Sequence, residues 1–255
     1  MKKTVSLILA VIILLGTFGI CAFAATPATV YVTIADEKGN LAVAHEIITV
    51  KDSDKDGKLT ISDALYYAHE EFYEGGAKAG YKAGETEYGI SLVKLWGIAN
   101  GGSYGYYIND NSAYSLADTV KDGDNVYAFI YTDTMNFSDT YSYFEEKEMS
   151  FRTYTFNEVT LYKYTFDANW KPVKEPVKGA VITIDGEESK YVTDENGKVK
   201  IAVLKSGKHT VSAKGAKGEN ITAPVCKLNC EKGKFTDVLS YICLVVINFF
   251  SSRKK

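Results

Sequence analysis

Residues 52–63 carry an acidic pattern that limits how the surrounding chain can fold. In the sequence Asp-Ser-Asp-Lys-Asp-Gly-Lys-Leu-Thr-Ile-Ser-Asp, aspartates stand at positions 1, 3, 5 and 12, and Gly57 stands at position 6. A hard divalent cation takes about six to eight oxygen ligands, and this spacing wraps oxygen atoms around one point. Glycine permits the sharp turn at the sixth position. The pattern predicts a calcium ion that joins the elements on either side of the loop.

The predicted ligands are spread along the whole loop. They are the carboxylates of Asp52, Asp54, Asp56 and Asp63, the backbone carbonyl of Lys58, and Thr60 acting through a water molecule. The loop resembles EF-hand loops, most of which end in a longer Glu, and its Asp-terminated form resembles dockerin loops. Asp63 therefore predicts weaker coordination. The alternative is a solvated turn whose Asp side chains bond to their own backbone.

The amino-terminal segment predicts export. Lys2 and Lys3 precede an apolar run from Val5 to Ile20, and Ala22-Phe23-Ala24 forms a small-x-small cleavage site. These features together are typical of a secretory signal over residues 1–24, which leaves a mature chain that begins at Ala25. Export agrees with calcium binding, because loops with dissociation constants of about 10⁻⁴ to 10⁻³ M fill outside the cell. We expect an extracellular or cell-surface protein.

Composition and motifs exclude several function classes. The formal net charge is −3 and no basic stripe is present, so no nucleic-acid partner is expected. Cys226 and Cys230 are too far apart for a disulfide within one strand, and the cysteines and histidines show no zinc-binding spacing. A nucleophile elbow, an acid–base pair in a cleft and a phosphate-binding glycine loop are also missing from the sequence. We therefore predict a protein that is not an enzyme.

Residues 25–134 read as an α+β domain. A hairpin is predicted from Ala28 to Ile34 and from Leu41 to Val50, and an apolar stripe at helical spacing runs from Ile61 to about Tyr73. After a glycine-rich connection over residues 75–84, strands are predicted at residues 89–96, 104–109 and 125–131. This order predicts a β-grasp fold, in which a sheet embraces one helix.

Two short motifs in this domain suggest a family. Tyr106-Tyr107-Ile108-Asn109 and the stretch from Val120 to Tyr127 resemble the paired signatures of the transcobalamin-type C-terminal domain, over residues 29–134. In vitamin carriers that domain caps one face of cobalamin, so the resemblance implies binding of a small molecule of the corrinoid type. The nearby aromatic residues fit either stacking on a ligand or packing in the sheet; they are Trp96, Tyr104, Tyr106, Tyr107 and Tyr114.

Residues 135–231 read as a β-sandwich. Phe151 to Phe166 alternates apolar and polar residues, and the proline-containing segment 170–176 is predicted to break the pattern. Four further strands follow at regular spacing; they are predicted at residues 181–184, 190–193, 198–203 and 208–213. Gly179 to Val211 resembles the prealbumin-like or Ig-like repeats of bacterial surface proteins, which implies a spacer or adhesin stalk.

The last segment, residues 232–255, has an apolar stretch followed by basic residues. Val238 to Phe250 would span only about 20 Å as a helix, against a hydrocarbon core of about 30 Å. That length predicts an interfacial helix or a segment packed on the second domain. Arg253, Lys254 and Lys255 would instead suit a tail held on the cytoplasmic side, so membrane association is left open.

Two functional hypotheses follow for this mainly β chain. The first is a calcium-binding surface protein that acts in adhesion or partner binding, with a protein or a glycan as its partner. The second is a small-molecule binder that acts through the transcobalamin-like domain.

Overall fold

The computed structural model describes residues 25–87, 89–99, 101 and 103–252. The predicted signal and the basic residues 253–255 lie outside the described residues. The fold is mainly β, as predicted. The strands are β1 (Ala28–Ala35), β2 (Leu41–Val50), β3 (Lys82–Thr86), β4 (Gly89–Lys94), β5 (Tyr104–Ile108), β6 (Asn111–Ser112), β7 (Asn125–Ile130), β8 (Ser142–Phe144), β9 (Glu148–Arg152), β10 (Asn157–Phe166), β11 (Pro172–Pro176), β12 (Val181–Ile184), β13 (Glu187–Val192), β14 (Lys198–Ile201), β15 (Gly207–Lys214) and β16 (Cys226–Glu231). The helices are α1 (Ile61–Phe72), α2 (Gly76–Gly80) and α3 (Phe235–Ser252).

The amino-terminal unit is a mixed sheet covered by one long helix. Its strand order is β2-β1-β7-β5-β6, with β1 and β7 parallel and the other neighbours antiparallel. Alternate residues of β1 point inward, so that Val30, Val32 and Ile34 join Leu65 and Ala68 of helix α1 in one buried core. A central parallel pair with a helix on one face fits the predicted β-grasp arrangement. The strand predicted over residues 89–96, however, ends at Lys94 as β4 and pairs with β3 in a separate two-stranded sheet.

Helix α1 follows its sequence signals closely. Ile61, Leu65 and Ala68 are fully buried, as the apolar stripe predicts, although Phe72 at the end of the stripe is exposed. Thr60 is the N-cap, and its side chain accepts a hydrogen bond from the Asp63 N–H. The Asp63 carboxylate accepts a hydrogen bond from the Thr60 N–H in return, which completes a capping box.

Two predictions about local structure are wrong. The connection predicted over residues 75–84 contains helix α2 and strand β3, and β3 gains its structure by pairing with β4 rather than from its own pattern. The segment predicted to break the second unit forms β11, which pairs with β10. β11 lies at the edge of its sheet, where prolines are tolerated because one side of the strand needs no N–H donors.

The second unit consists of two sheets packed face to face. One has the order β11-β10-β14, with β8 also paired to β10, and the other has the order β13-β12-β15-β16-β9. Their inner faces share a core that includes Phe144, Leu161, Ile182 and Leu228. This architecture is the predicted β-sandwich. Cys226 and Cys230 are free and buried in it.

A third apolar cluster joins the two units and consists mostly of tyrosines. Ala35, Tyr127, Phe129 and Tyr141 are buried there. The Tyr127 hydroxyl donates to the carbonyl of Ala223 at 2.8 Å, which links strand β7 to the second unit. Val126, Ala128 and Ile130 of β7 belong to the core that includes helix α1, whereas Tyr127 and Phe129 belong to this cluster, so both faces of β7 are covered. We refer to it as the tyrosine cluster.

Helix α3 extends from the second unit. Its first turns are held by an ion pair between Arg152 and Asp237 at 2.9 Å and by the stacking of Tyr241 on Phe156. Beyond Tyr241, the side chains of residues 242–247 are exposed. Among the described residues, none of the helices combines the length and hydropathy required to cross a membrane.

Candidate metal site

The acidic loop connects the end of β2 to the start of helix α1. It enters from a strand and leaves into a helix, as the sequence predicts. Gly57 adopts φ = +87°, a left-handed conformation that glycine tolerates best. The Asp52 carboxylate closes this turn by accepting hydrogen bonds from the N–H groups of Asp56 at 3.1 Å and Gly57 at 2.9 Å. The backbone is thus folded around the first aspartate.

Three of the four predicted carboxylates come together. Oxygen atoms of Asp52, Asp54 and Asp63 all lie within 4.8 Å of one another. Asp56 is not in this group, and its carboxylate accepts a hydrogen bond from the Lys58 N–H at 2.8 Å. The Lys58 carbonyl as a ligand stays a prediction.

Asp63 is buried and fully engaged in hydrogen bonds. One oxygen accepts from the N–H and hydroxyl of Ser53 at 2.9 and 2.6 Å, and the other accepts from the N–H and hydroxyl of Thr60 at 2.9 and 2.7 Å. A carboxylate has about four lone-pair directions, so these four bonds use its ordinary capacity. Direct chelation by both oxygens would displace some of these donors. The Thr60 hydroxyl likewise faces Asp63.

The pKa values of the neighbouring carboxyl groups of Asp52 and Asp54 are shifted in opposite directions. Although desolvation raises the pKa of Asp52, hydrogen bonds from the N–H groups of Gly57, Lys55 and Asp56 hold that pKa below its usual range. Desolvation and the charges of Asp56 and Asp63 raise the pKa of Asp54, and a hydrogen bond between the Asp52 and Asp54 side chains raises it further. Protonation of Asp54 therefore reduces the repulsion between these carboxylates. A bound cation would reduce the same repulsion.

The residues present fit a hard cation. All three converging groups are carboxylates, which suit calcium and magnesium better than softer metals. Among the described residues, no Lys or Arg forms an ion pair with Asp52, Asp54 or Asp63. In the described part of the chain, backbone N–H groups and hydroxyls donate hydrogen bonds to Asp52 and Asp63.

Ser53 is a member of this site that the sequence pattern does not identify. It occupies position 2 of the loop, which supplies no predicted ligand, yet both of its donors bind Asp63. A hydroxyl residue between two aspartates is the only sequence signal of this role. The bond ties the beginning of the loop to the first turn of helix α1.

Most of the aromatic residues considered for ligand stacking make contacts within the protein. The Tyr104 hydroxyl donates to the Val93 carbonyl at 2.9 Å, and Tyr107 stacks on Tyr141 with ring centroids 3.8 Å apart. Tyr114 is 81% exposed. Two further contacts are those of Trp96 with His69 and of Tyr106 with Ser91. These contacts favour packing as the role of the buried members.

A cleft of about 580 Å³ lies beside β2, β9, β15 and β16, between the two units. Lys227 forms an ion pair with Glu46 at 2.8 Å, and His45 lies 3.7 Å from Glu148. Burial lowers the pKa of His45 to about 4, together with the nearby charges of Lys147 and Lys227. The Lys227–Glu46 ion pair joins the two units beside this cleft.

Comparisons with family models and curated proteins give no information about the function of this chain. The chain matches no protein-family model and no curated protein. The resemblances to transcobalamin-type, dockerin and prealbumin-like modules stay predictions.

Proposed function

We propose that the protein is an exported, non-catalytic calcium-binding protein that acts at the cell surface in adhesion or partner binding. The observation that carries the proposal is the convergence of Asp52, Asp54 and Asp63 within 4.8 Å, in a twelve-residue loop with the spacing of a calcium site. The surface location rests on the predicted signal, and the adhesive role rests on the resemblance of the second unit to surface modules.

The protein's own residues would hold the ion in unequal ways. Asp52 and Asp54 are the more accessible donors, whereas Asp63 already caps helix α1. Bound calcium would supply a double positive charge that neutralises the loop and ties β2 to α1. Because Asp54 has a raised pKa, protons compete with the cation, and we expect affinity to fall as the pH is lowered.

The test is a calorimetric titration of the chain from Ala25 onward with calcium chloride. We expect one site with a dissociation constant of about 10⁻⁴ to 10⁻³ M, and about 1 to 3 kcal/mol of added stability at ~10 mM calcium. Magnesium at the same concentration should stabilise less, because it demands a tighter octahedral site.

Two variants test whether the loop is the source of the signal, and a third variant is the control. Asp52→Asn and Asp54→Asn should each abolish the calcium-dependent heat and the rise in Tm. Asp194→Asn is the matched control, because Asp194 also accepts two backbone hydrogen bonds in a turn, from Asn196 and Lys198. Calcium-independent melting of the unmodified chain would reject the proposal and leave the loop as a solvated turn.

The small-molecule hypothesis stays a prediction with its own experiment. A titration of cobalamin followed by visible absorbance should show a spectral change if the amino-terminal unit binds a corrinoid. An unchanged spectrum with excess protein would count against that hypothesis and would not affect the calcium proposal.

A further inference from the structure

Helix α3 carries a large apolar surface that is exposed within the described part of the chain. Residues 242–247 are all exposed, with about half of the Ile242, Leu244 and Val246 side chains open to solvent. Phe235 and Leu239 add to this surface closer to the start of the helix. Contiguous exposed apolar patches of this kind are rare unless they meet a partner or a membrane.

The distribution of these residues around the helix indicates what covers them. A helical turn takes about 3.6 residues, so consecutive positions point about 100° apart. Cys243, Leu244, Val245 and Val246 are consecutive and exposed, and together they point in all directions around the axis. A protein groove covers one side of a helix. A helix with apolar side chains on every side is instead best accommodated in an apolar environment.

The base of the helix is firmly attached, so the exposed part is presented in a defined place. Asp237 pairs with Arg152 at 2.9 Å and also accepts a hydrogen bond from the Lys234 N–H at 2.8 Å. One turn later, Tyr241 packs against Tyr154 and Phe156. The exposed residues 242–247 therefore begin immediately after this anchored part of the helix.

The charges along this segment are complementary to an anionic surface. Asp237 is the single charged residue within α3, and it is neutralised by Arg152. The residues that follow the helix are Arg253, Lys254 and Lys255. Basic residues beside an apolar helix are attracted to anionic headgroups and add to the binding that apolar burial supplies.

We propose that helix α3 inserts into the apolar region of an anionic lipid bilayer and holds the second unit at the membrane surface. This interaction is separate from calcium binding, because the acidic loop lies in the other unit. It would place the calcium loop at a membrane whether or not calcium is bound.

The exposed thiol of Cys243 allows a direct test on the chain from Ala25 onward. Cys226 and Cys230 are buried, so a polarity-sensitive fluorophore can be attached to Cys243 in the folded protein. In EDTA, phosphatidylglycerol–phosphatidylcholine vesicles should shift its emission to the blue, and lipids brominated in their acyl chains should quench it. The protein should also float with these vesicles in a density gradient.

Substitutions separate lipid insertion from its alternatives. Leu244→Glu with Val246→Glu should reduce flotation at least tenfold. Ile47→Glu with Met135→Glu is the control, because it adds the same charge at exposed apolar residues elsewhere and should float normally. Replacing Arg253, Lys254 and Lys255 by Ala should weaken binding to anionic vesicles about a hundredfold, at roughly 1 kcal/mol per basic residue.

Two outcomes would overturn the proposal. One is flotation of the Leu244/Val246 variant at the level of the unmodified chain. The other is an emission shift that appears without lipid as the protein concentration rises, which would assign the apolar surface of α3 to contact with a second copy of the chain.

Discussion

Asp63 closes the acidic loop and also caps helix α1. Its four hydrogen bonds come from Ser53 and Thr60, on either side of the loop. If Asp63 binds calcium, its oxygen atoms must therefore contact the ion and also accept the hydrogen bonds that stabilise this part of the fold. Asp54, by contrast, is exposed and accepts one long backbone hydrogen bond, from Asp56 at 3.2 Å.

We predict that substitutions of these two aspartates have unequal effects on stability when calcium is removed. In EDTA, Asp63→Ala should lower the free energy of unfolding by about 2 kcal/mol, because it removes a cap and leaves buried donors unpaired. Asp54→Ala should change it by less than about 0.5 kcal/mol, as exposed substitutions usually do. Urea unfolding measures both values. Equal losses would show that the carboxylates do not differ in structural role.

His69 is one of the residues that join helix α1 to the chain that follows it. His69 is fully buried; its Nδ1 lies 2.7 Å from the Leu65 carbonyl, and its Nε2 accepts the Trp96 N–H at 3.1 Å. These contacts require the neutral tautomer with the proton on Nδ1. Desolvation lowers the pKa of His69 to about 4, although the bond to Leu65 opposes the shift.

This histidine should make the stability of the protein depend on pH. The folded pKa lies below the ordinary value of 6.5, so the unfolded chain takes up the proton first. Stability is then complete above pH 6.5 and is lost as the pH falls towards 4. We expect a loss of about 2 kcal/mol between pH 7.5 and 5 from His69, and a similar loss from His45.

The variant His69→Gln isolates this effect, because glutamine does not titrate in this range. Urea unfolding at the two pH values should show about half of the loss found for the unmodified chain. A loss of the same size in both proteins would show that His69 is not responsible.

At the scale of the whole molecule, the two units are held by the tyrosine cluster and a charged pair beside it. Asp110 accepts hydrogen bonds from the Tyr141 hydroxyl and from the Lys147 ammonium group, both at 2.7 Å. Burial lowers the pKa of Lys147, and the charge of Asp110 opposes that change. Asp110 belongs to the amino-terminal unit and Lys147 to the second, so the pair crosses the junction.

We predict that this pair couples the unfolding of the two units. Asp110→Asn should cost about 2 kcal/mol, because it leaves a partly buried ammonium group without its carboxylate. The double variant Asp110→Asn with Lys147→Met should recover most of that loss. Additive losses in a urea double-mutant cycle would show that the two side chains do not interact.

Local signals were sufficient to predict the elements that form within short stretches of sequence. The hairpin of β1 and β2 and helix α1 follow from alternation and helical spacing. These signals act between residues only a few positions apart. The order of elements around the acidic loop could be derived for the same reason.

The sequence by itself determined the mainly β composition, the entry and exit of the acidic loop, and the chemistry of its donors. Only the tertiary structure decided that Asp52, Asp54 and Asp63 converge while Asp56 bonds to the backbone, and that β11 forms at a sheet edge. It also decided the contact of Tyr127 with Ala223, 96 positions away. For β11 and Tyr127 the physical reason is that segments far apart in the sequence exclude water from a common interface, which no short window of sequence encodes. The different roles of the aspartates depend instead on the backbone conformation of the folded loop, which sets where each carboxylate lies.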